Sequence, residues 1–327
     1  MEVGGVSHRL AEFACYQANR LSFQELWKLL VDRLGITQLS ARTLHRVVER
    51  VATDVATADF KSIAAASEVV MPDLAARIDL YDPKSEEVVV MEDGILVKAQ
   101  KPESVRPNRF IPTNMATLQL PDGSYQTVME SLTRDATQSF TLAQALHAAF
   151  VTAWGKTTQE ELAVVALTDG ASCIRTHLAE VFGERVAIVL DWYHLMKKLK
   201  EKLSQICYGS AHRKEVKQAM ASWLWRGDVE SALTELEYFE PRKPEVLASL
   251  QGYLTKHREE IIDYERRQAA GKPIGSGRME KAVDLAIGHR QKRKGMSWLE
   301  KGSRTLACLR CVELNGQWEI FWQRRAA

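Results

Sequence analysis

The chain has 327 residues, of which 46% are apolar and 26% charged, and its formal net charge is +2. Length and composition predict a folded protein of about two or three domains and exclude a chain dominated by disorder. No apolar run approaches the roughly 18 residues of a membrane helix, and the amino terminus lacks a signal-peptide pattern. Five scattered cysteines also favour a reducing compartment, so we expect a cytoplasmic protein.

Two helices with a tight turn are predicted between residues 21 and 52. Ser22 and Glu25 form a capping-box pattern, and apolar residues then recur at helical spacing until a glycine. Ser40 is the predicted cap of a second helix, from residue 41 to about residue 52. Its predicted outward face carries Arg42, Thr43, His45, Arg46 and Arg50. The pair is typical of a DNA-binding helix-turn-helix and equally of a hairpin in a helical bundle.

The sequence becomes β-rich near Tyr81. The elements predicted after it are a strand at 87–98, hairpin strands at 115–120 and 125–130, a helix at 141–154, a strand at 162–168, a helix at 172–182 and a strand at 186–190. Alternation of apolar and polar residues on both sides of a Pro-Asp-Gly turn indicates the hairpin. The short continuous apolar runs indicate buried strands. Together they predict an α/β fold with a mixed sheet covered by helices.

A long helical stretch from Trp192 to about Ala270 interrupts this alternation, and Gly275-Ser276-Gly277 breaks the chain before a last helical region. Within the stretch, Trp223 and Trp225 either pack in a core or stack on an unpaired base. The predicted divisions are an N-terminal helical region at 1–80, a core at 81–195 and 273–327, and an all-helical insertion at 196–272.

Three acidic residues lie in or directly after predicted elements, from which their side chains could point to one place. Asp93 lies in the first strand, Asp169 follows the strand at 162–168, and Glu280 lies in the first turn of a helix. Carboxylates are hard oxygen ligands for Mg²⁺ or Mn²⁺, and rigid strand and helix ends suit a metal site. An Asp-Gly pair after a strand is also a common turn. Asp191 likewise follows an apolar strand and competes with Asp169 as a ligand.

Positive charge is concentrated near the carboxyl end, with ten Lys or Arg and four Asp or Glu between Lys281 and Arg325. Such an excess indicates either a phosphate-binding surface or a solvated helix face. The candidates for phosphate contact are Arg290, Lys292, Arg293, Lys294, Arg304, Arg310, Arg324 and Arg325. Cys308 and Cys311 form a CxxC pattern, which we assign to helix packing rather than to metal or redox use.

Several segments resemble, in order, the motifs of DDE transposases from bacterial insertion sequences. They are Val-Met-Glu-Asp-Gly-Ile-Leu-Val at 90–97, Ala-Leu-Thr-Asp-Gly-Ala at 166–171, Val-Leu-Asp-Trp-Tyr-His at 189–194 and Ile-Gly-Ser-Gly-Arg-Met-Glu-Lys at 274–281. Two tail segments, at 294–302 and 314–318, also match. The similarity is greatest to the ISKra-type families, relatives of the Mutator-like group, and covers about residues 85–325.

The resemblance implies an RNase H-like sheet that an all-helical insertion interrupts before the last acidic residue. It implies that Asp93, Asp169 and Glu280 are catalytic and hold two Mg²⁺ or Mn²⁺ ions. Asp191 and His194 match the Asp-x-x-His motif of the Mutator-like group, which is not part of the ligand set. There Asp191 could cap a helix and orient His194. We therefore prefer Asp169 as the second ligand.

The activity implied is cleavage of DNA at element ends followed by transfer of the 3′-hydroxyl to target DNA. The implied partners are double-stranded DNA, namely terminal inverted repeats and target, and further copies of the chain, with no membrane or nucleotide cofactor. Bound to DNA, the protein would associate with the nucleoid. Relatives are commonly longer at the amino end, so one interpretation is that this chain is a shortened copy of such a transposase. A non-catalytic DNA-binding derivative and an RNase H-like nuclease are the alternatives.

Overall fold

The computed structural model describes residues 2–3, 5–100, 110–131 and 139–326. The strands are β1 (Glu2–Val3), β2 (Val6–Ser7), β3 (Val88–Lys98), β4 (Phe110–Gln119), β5 (Tyr125–Met129), β6 (Val164–Thr168) and β7 (Val186–Leu190). The helices are α1 (His8–Ala18), α2 (Phe23–Leu34), α3 (Ala41–Ala66), α4 (Leu142–Trp154), α5 (Ser172–Phe182), α6 (Trp192–Ile206), α7 (Ser210–Trp225), α8 (Val229–Glu237), α9 (Pro244–Lys256), α10 (Tyr264–Ala269), α11 (Gly277–Val283), a π-helix (Asp284–Gly288), α12 (His289–Gln291), α13 (Glu300–Leu314) and α14 (Trp318–Ala326). Within these described ranges, none of the helices is both long enough and apolar enough to span a bilayer.

Five strands form one mixed sheet in the order β5-β4-β3-β6-β7. β4 and β5 are antiparallel, whereas β6 runs parallel to both β3 and β7. All five residues of β6 are buried, which explains its continuous apolar sequence: a central parallel strand is covered on both faces. The predicted α/β class with a mixed sheet is therefore confirmed.

The chain divides into two compact units, and the division falls inside β3 between Glu92 and Asp93. The first unit comprises Met1–Pro72, Asp93–Thr158 and Arg278–Ala327, and the second comprises Asp73–Glu92 and Gln159–Gly277. The core of the first includes buried residues of α1, α2, α3 and α13. In the second, the buried leucine stripe of α6 faces inward, and α6 packs against α7 and α9.

Most element boundaries agree with the predictions, but α3 does not end near Ala52. It continues to Ala66, because Val55 extends the buried stripe and the alanines that follow favour helix. The helix α1 was not predicted from the sequence. Its buried face consists of three alanines and Cys15, which give a weak hydrophobic pattern.

The predicted capping box at the start of α2 is confirmed. Ser22 Oγ accepts a hydrogen bond from the Glu25 backbone N at 3.1 Å, and the Glu25 carboxylate accepts one from the Ser22 backbone N at 2.7 Å. Hydrogen bonds to the carboxylate from the backbone and the side chain of Ser22 hold the pKa of Glu25 below its usual value. The two bonds of the capping box satisfy backbone donors that the first turn of a helix otherwise leaves without partners.

Replacing Ser22 by Ala should lower the free energy of unfolding by about 1 kcal/mol, because α2 loses its side-chain cap. Urea unfolding followed by circular dichroism measures this change. Ser62→Ala, at an exposed position of α3, is the matched control and should change stability by less than about 0.5 kcal/mol. Equal stabilities of the two variants would contradict the prediction.

Candidate functional site

The loop after β6 holds Asp169 in a defined turn. Asp169 is half-buried, and its Oδ1 accepts a hydrogen bond from the Ala171 backbone N at 2.8 Å. Thr168 Oγ1 accepts a second bond, from the Gly170 backbone N at 3.2 Å. An Asp side chain that bonds the backbone two residues later forms an Asx-turn, here in the loop that precedes α5. The carboxylate is thus positioned by the strand, the turn and the helix together.

Gly170 is required in this turn for two physical reasons. Its φ is +85°, a conformation that residues with a Cβ rarely adopt. A Cβ at this position would also lie 2.5 Å from Cε1 of His257, which follows α9 and is buried. The residue next to Asp169 therefore packs directly against the helical segment that the sequence predicted.

Arg175, His257 and Glu260 form a cluster next to the contact between Gly170 and His257. Nδ1 of His257 is 2.6 Å from Nη2 of Arg175 and 2.7 Å from Oε2 of Glu260, and the guanidinium also donates to Glu260 at 2.7 Å. Burial raises the pKa of Glu260, but the His257 hydrogen bond and the Arg175 charge outweigh it and hold that pKa below its usual range. The cluster ties α5 to the end of α9 and so fixes the Asp169 loop.

Tyr253 of α9 extends the cluster. Its ring centroid is 4.5 Å from that of His257, and burial, with a smaller contribution from the Asp169 carboxylate, raises the pKa of its hydroxyl to about 12. The phenol therefore stays neutral well above physiological pH.

Asp191 is buried and caps α6, as the sequence predicted. Its Oδ1 accepts hydrogen bonds from the backbone N of Tyr193 at 2.6 Å and of His194 at 2.9 Å. Its Oδ2 accepts from both the backbone N and the hydroxyl of Ser276, the latter at 2.6 Å. Both carboxylate oxygens therefore have protein donors, and Asp191 ties the start of α6 to the Gly-Ser-Gly segment.

The same segment approaches α6 through its backbone. Trp192 N donates to the carbonyl of Ile274 at 3.1 Å. A Cβ at Gly275 would lie 2.7 Å from the ring of Tyr193 and 3.3 Å from Asp191 Oδ2, so the approach needs glycine. This close packing fixes the segment that leads into α11.

Glu92 and His177 form a further pair of titratable residues that sequence patterns did not predict. Glu92 is buried in β3, and its Oε1 lies 2.6 Å from Nδ1 of the partly exposed His177 on α5. The carboxylate orients the imidazole. Along the chain the two residues are 85 positions apart, so no local pattern could have indicated the contact.

The other two predicted carboxylates, Asp93 and Glu280, lie in a strand and in the first turn of a helix, as predicted. Asp93 is half-buried in β3, and its Oδ1 accepts from the Gly94 backbone N at 2.7 Å. Glu280 is exposed in the first turn of α11. Among the residues that the structure describes, no group of three or more His, Cys, Asp or Glu is arranged to hold a metal ion.

Comparison with known protein families gives a match. The sequence model of UPF0236, an uncharacterised protein family, matches residues 153–325, which is more than half of the chain. The chain belongs to the UPF0236 family. The matched range includes Asp169, Asp191 and Glu280. No curated protein and no solved structure matches.

The predicted recognition helix of this UPF0236 chain exposes three arginines: Arg42, Arg46 and Arg50. Thr43 is partly buried, and its hydroxyl lies 2.9 Å from that of Ser40. His45 is also partly buried, with its ring 4.7 Å from the ring of Phe23. The arginines thus offer a ligand more surface than the other two residues.

In the carboxyl-terminal basic stretch of the UPF0236 chain, Lys292, Arg293 and Lys294 are exposed. Arg290 is buried, donates to the carbonyl of Ala18 at 3.0 Å and lies over the Trp298 ring at 4.8 Å. Arg304 is buried too, with Glu130, Glu300 and the Ser131 carbonyl as partners. Because both guanidinium groups have intramolecular partners, we remove Arg290 and Arg304 from the candidate phosphate contacts.

Other candidates pack against neighbouring side chains. Cys308 and Cys311 are buried in α13, and burial raises the pKa of the Cys311 thiol to about 12, so its reactive thiolate is scarce. Trp225 packs against Trp192 and Tyr264, with ring centroids 4.8 and 6.1 Å away. Burial of both cysteines confirms the packing interpretation of the CxxC pair. Trp225 is a partly buried member of an aromatic cluster.

Proposed function

We propose that the chain is a DDE-type DNA transposase with an RNase H-like core. It would cut DNA at the ends of an element and join the freed 3′-hydroxyl to target DNA. Asp93, Asp169 and Glu280 would hold two Mg²⁺ or Mn²⁺ ions. When bound, such ions activate the attacking oxygen and stabilise the leaving oxygen of a phosphodiester displacement.

The sheet order is the observation that carries the proposal. A strand and a hairpin are followed by two strands that extend the sheet on the other side, with parallel pairing, an arrangement compatible with an RNase H-like core. In the parallel pairing Met91 is the partner of Leu167, and Asp93 and Asp169 each come two positions later in the chain. The helices α6 to α10 would be the insertion that precedes Glu280.

The donor chemistry fits the proposed ions. All three residues supply hard carboxylate oxygens, and Asp169 sits in a loop that the surrounding contacts make rigid. Asp191 is a poorer ligand, because four protein donors already occupy its oxygens. Three carboxylates brought together without a cation would repel one another. A site that assembles only when the metal binds would therefore show no group of metal-ligating side chains among the residues that the structure describes.

The remaining residues would bind DNA. Arg42, Arg46 and Arg50 would contact the terminal repeats, and Lys292, Arg293 and Lys294 would bind backbone phosphates. Such contacts release counterions, so binding should weaken steeply as salt increases. Because two DNA ends would be paired, we expect a dimer or a larger assembly on DNA.

The experiment is a cleavage and strand-transfer assay. Labelled DNA from either side of the coding sequence is incubated with the protein and Mg²⁺ or Mn²⁺. We expect cutting and joining by the natural chain and neither reaction with Asp93→Asn or Glu280→Gln. The matched controls Asp122→Asn and Glu180→Gln, at exposed positions, should retain both reactions.

The other outcomes separate the alternatives. Binding without cutting by the natural chain would favour a non-catalytic DNA-binding derivative. Cutting without joining, even with pre-cleaved ends, would favour a nuclease. Activity that persists in EDTA, or in both carboxylate variants, would overturn the metal-dependent mechanism.

A further inference from the structure

The outer face of α6 carries an exposed stripe with an aromatic start and a basic centre. Tyr193, Lys197, Lys200 and Ser204 are all exposed, and their spacing of four, three and four residues puts them on one side of the helix. Tyr193 is 65% exposed. We call these four residues the α6 stripe.

Positive charge is concentrated in this part of the chain. Residues 192–217 contain seven Lys or Arg and two Glu, a net charge of +5, whereas the whole chain has +2. Two of the lysines face the neighbouring helix: Lys198 lies 5.8 Å above the Tyr253 ring, and Lys202 donates to Ser249 at 3.0 Å. Lys197 and Lys200 point to solvent instead, where a polyanion can reach them.

Tyr193 is both exposed and held in place. Its backbone N bonds Asp191, and Gly275 packs so closely against the ring that a Cβ there would be 2.7 Å away. An aromatic ring that is already ordered loses little entropy when a ligand stacks on it. Every nucleic-acid base has a face that can stack on such a ring, whatever the sequence.

We propose that the α6 stripe binds an unpaired DNA strand, with Lys197 and Lys200 on backbone phosphates and Tyr193 stacked on a base. The choice of DNA rests on the proposed function, since a strand cut at an element end can expose unpaired bases. Tyr193 lies two residues after Asp191, so the stacked base would sit where α6 meets the Gly-Ser-Gly segment.

The test is fluorescence anisotropy in EDTA, with a labelled single-stranded oligonucleotide and its duplex, over a series of salt concentrations. For Lys197→Gln/Lys200→Gln, the slope of log affinity against log salt on the single strand should become shallower by about 1.4, which is about 0.7 for each phosphate that a lysine no longer neutralises. Lys61→Gln/Lys156→Gln removes the same charge from two other exposed lysines and should keep the natural slope.

Tyr193 is tested with the same oligonucleotides. Tyr193→Ala should weaken single-strand binding about 5- to 150-fold, whereas Tyr193→Phe, which keeps the ring, should bind as the natural chain does. Duplex affinity should be the same for all three proteins. Thermal unfolding of each variant verifies that it is folded.

An unchanged salt slope in the lysine variant, or equal losses on single strand and duplex in Tyr193→Ala, would overturn the inference. Neither measurement requires metal or cleavage. A natural chain that shows the expected binding but never cuts DNA would therefore overturn the proposed function and leave the stripe assignment standing.

Discussion

Asp169→Asn should reduce DNA cleavage at least about 100-fold while the protein stays folded. Under the proposed function Asp169 is a metal ligand, and losing it would remove several kcal/mol of transition-state stabilisation, where each 1.4 kcal/mol is a factor of about ten in rate. The fold should tolerate the change, because the Asn carbonyl oxygen can still accept the hydrogen bond from the Ala171 backbone N. Single-turnover cleavage with Mg²⁺ and urea unfolding measure the two properties.

Asp191→Asn should have the opposite profile. One carboxylate oxygen accepts from the Tyr193 and His194 backbones and the other from Ser276, so either orientation of an amide turns its NH₂ group towards an N–H donor. We expect the free energy of unfolding to fall by about 1–3 kcal/mol, the cost of unsatisfied buried groups. Cleavage should remain measurable under conditions where the variant is folded.

These two variants decide between the competing assignments of the second ligand. Asp122→Asn, at the exposed hairpin turn, controls for loss of an acidic group. If Asp191→Asn were inert and fully stable while Asp169→Asn still cut DNA, Asp191 would be the ligand and our preference for Asp169 would be wrong.

The sequence predicted elements that depend on local patterns. The continuous apolar runs identified β6 and β7. β6 is a central parallel strand and is buried on both faces, whereas β7 lies at the edge of the sheet and only its last two residues are buried. The cap at Asp191 was also predictable, since Asp is a preferred residue directly before the first turn of a helix. In each case a few neighbouring residues determine the structure.

Contacts between distant residues could not be predicted in this way. Arg175 and His257 are 82 positions apart, and Asp191 and Ser276 are 85 apart, so their pairing depends on the whole fold. The charge pattern also failed to separate the buried Arg290 from its exposed neighbour Lys292. A guanidinium can be buried over a Trp ring and bonded to a carbonyl, whereas composition records only a positive charge.

Arg267 should be one of the residues most sensitive to substitution. Its side chain is fully buried, forms an ion pair with Glu87, and donates to the carbonyls of Pro273 at 2.8 Å and Leu80 at 3.2 Å. Arg267→Ala should lower the free energy of unfolding by about 3–5 kcal/mol, because it leaves the buried Glu87 carboxylate with Lys272 as its remaining cation partner among the described ion pairs. Urea unfolding measures the change.

Arg266 provides the matched control, since it is the preceding residue in the same short helix but is exposed and lies 4.6 Å above the Tyr81 ring. Arg266→Ala should cost about 1 kcal/mol or less. Arg267→Met/Glu87→Gln/Lys272→Met, which removes all three charges of this cluster, should recover part of the stability lost in Arg267→Ala, because a buried charge without its partner is the main cost. Equal losses in Arg267→Ala and the triple variant would show that the carbonyl hydrogen bonds, rather than the ion pairs, hold the residues before β3 to the segment that leads into α11.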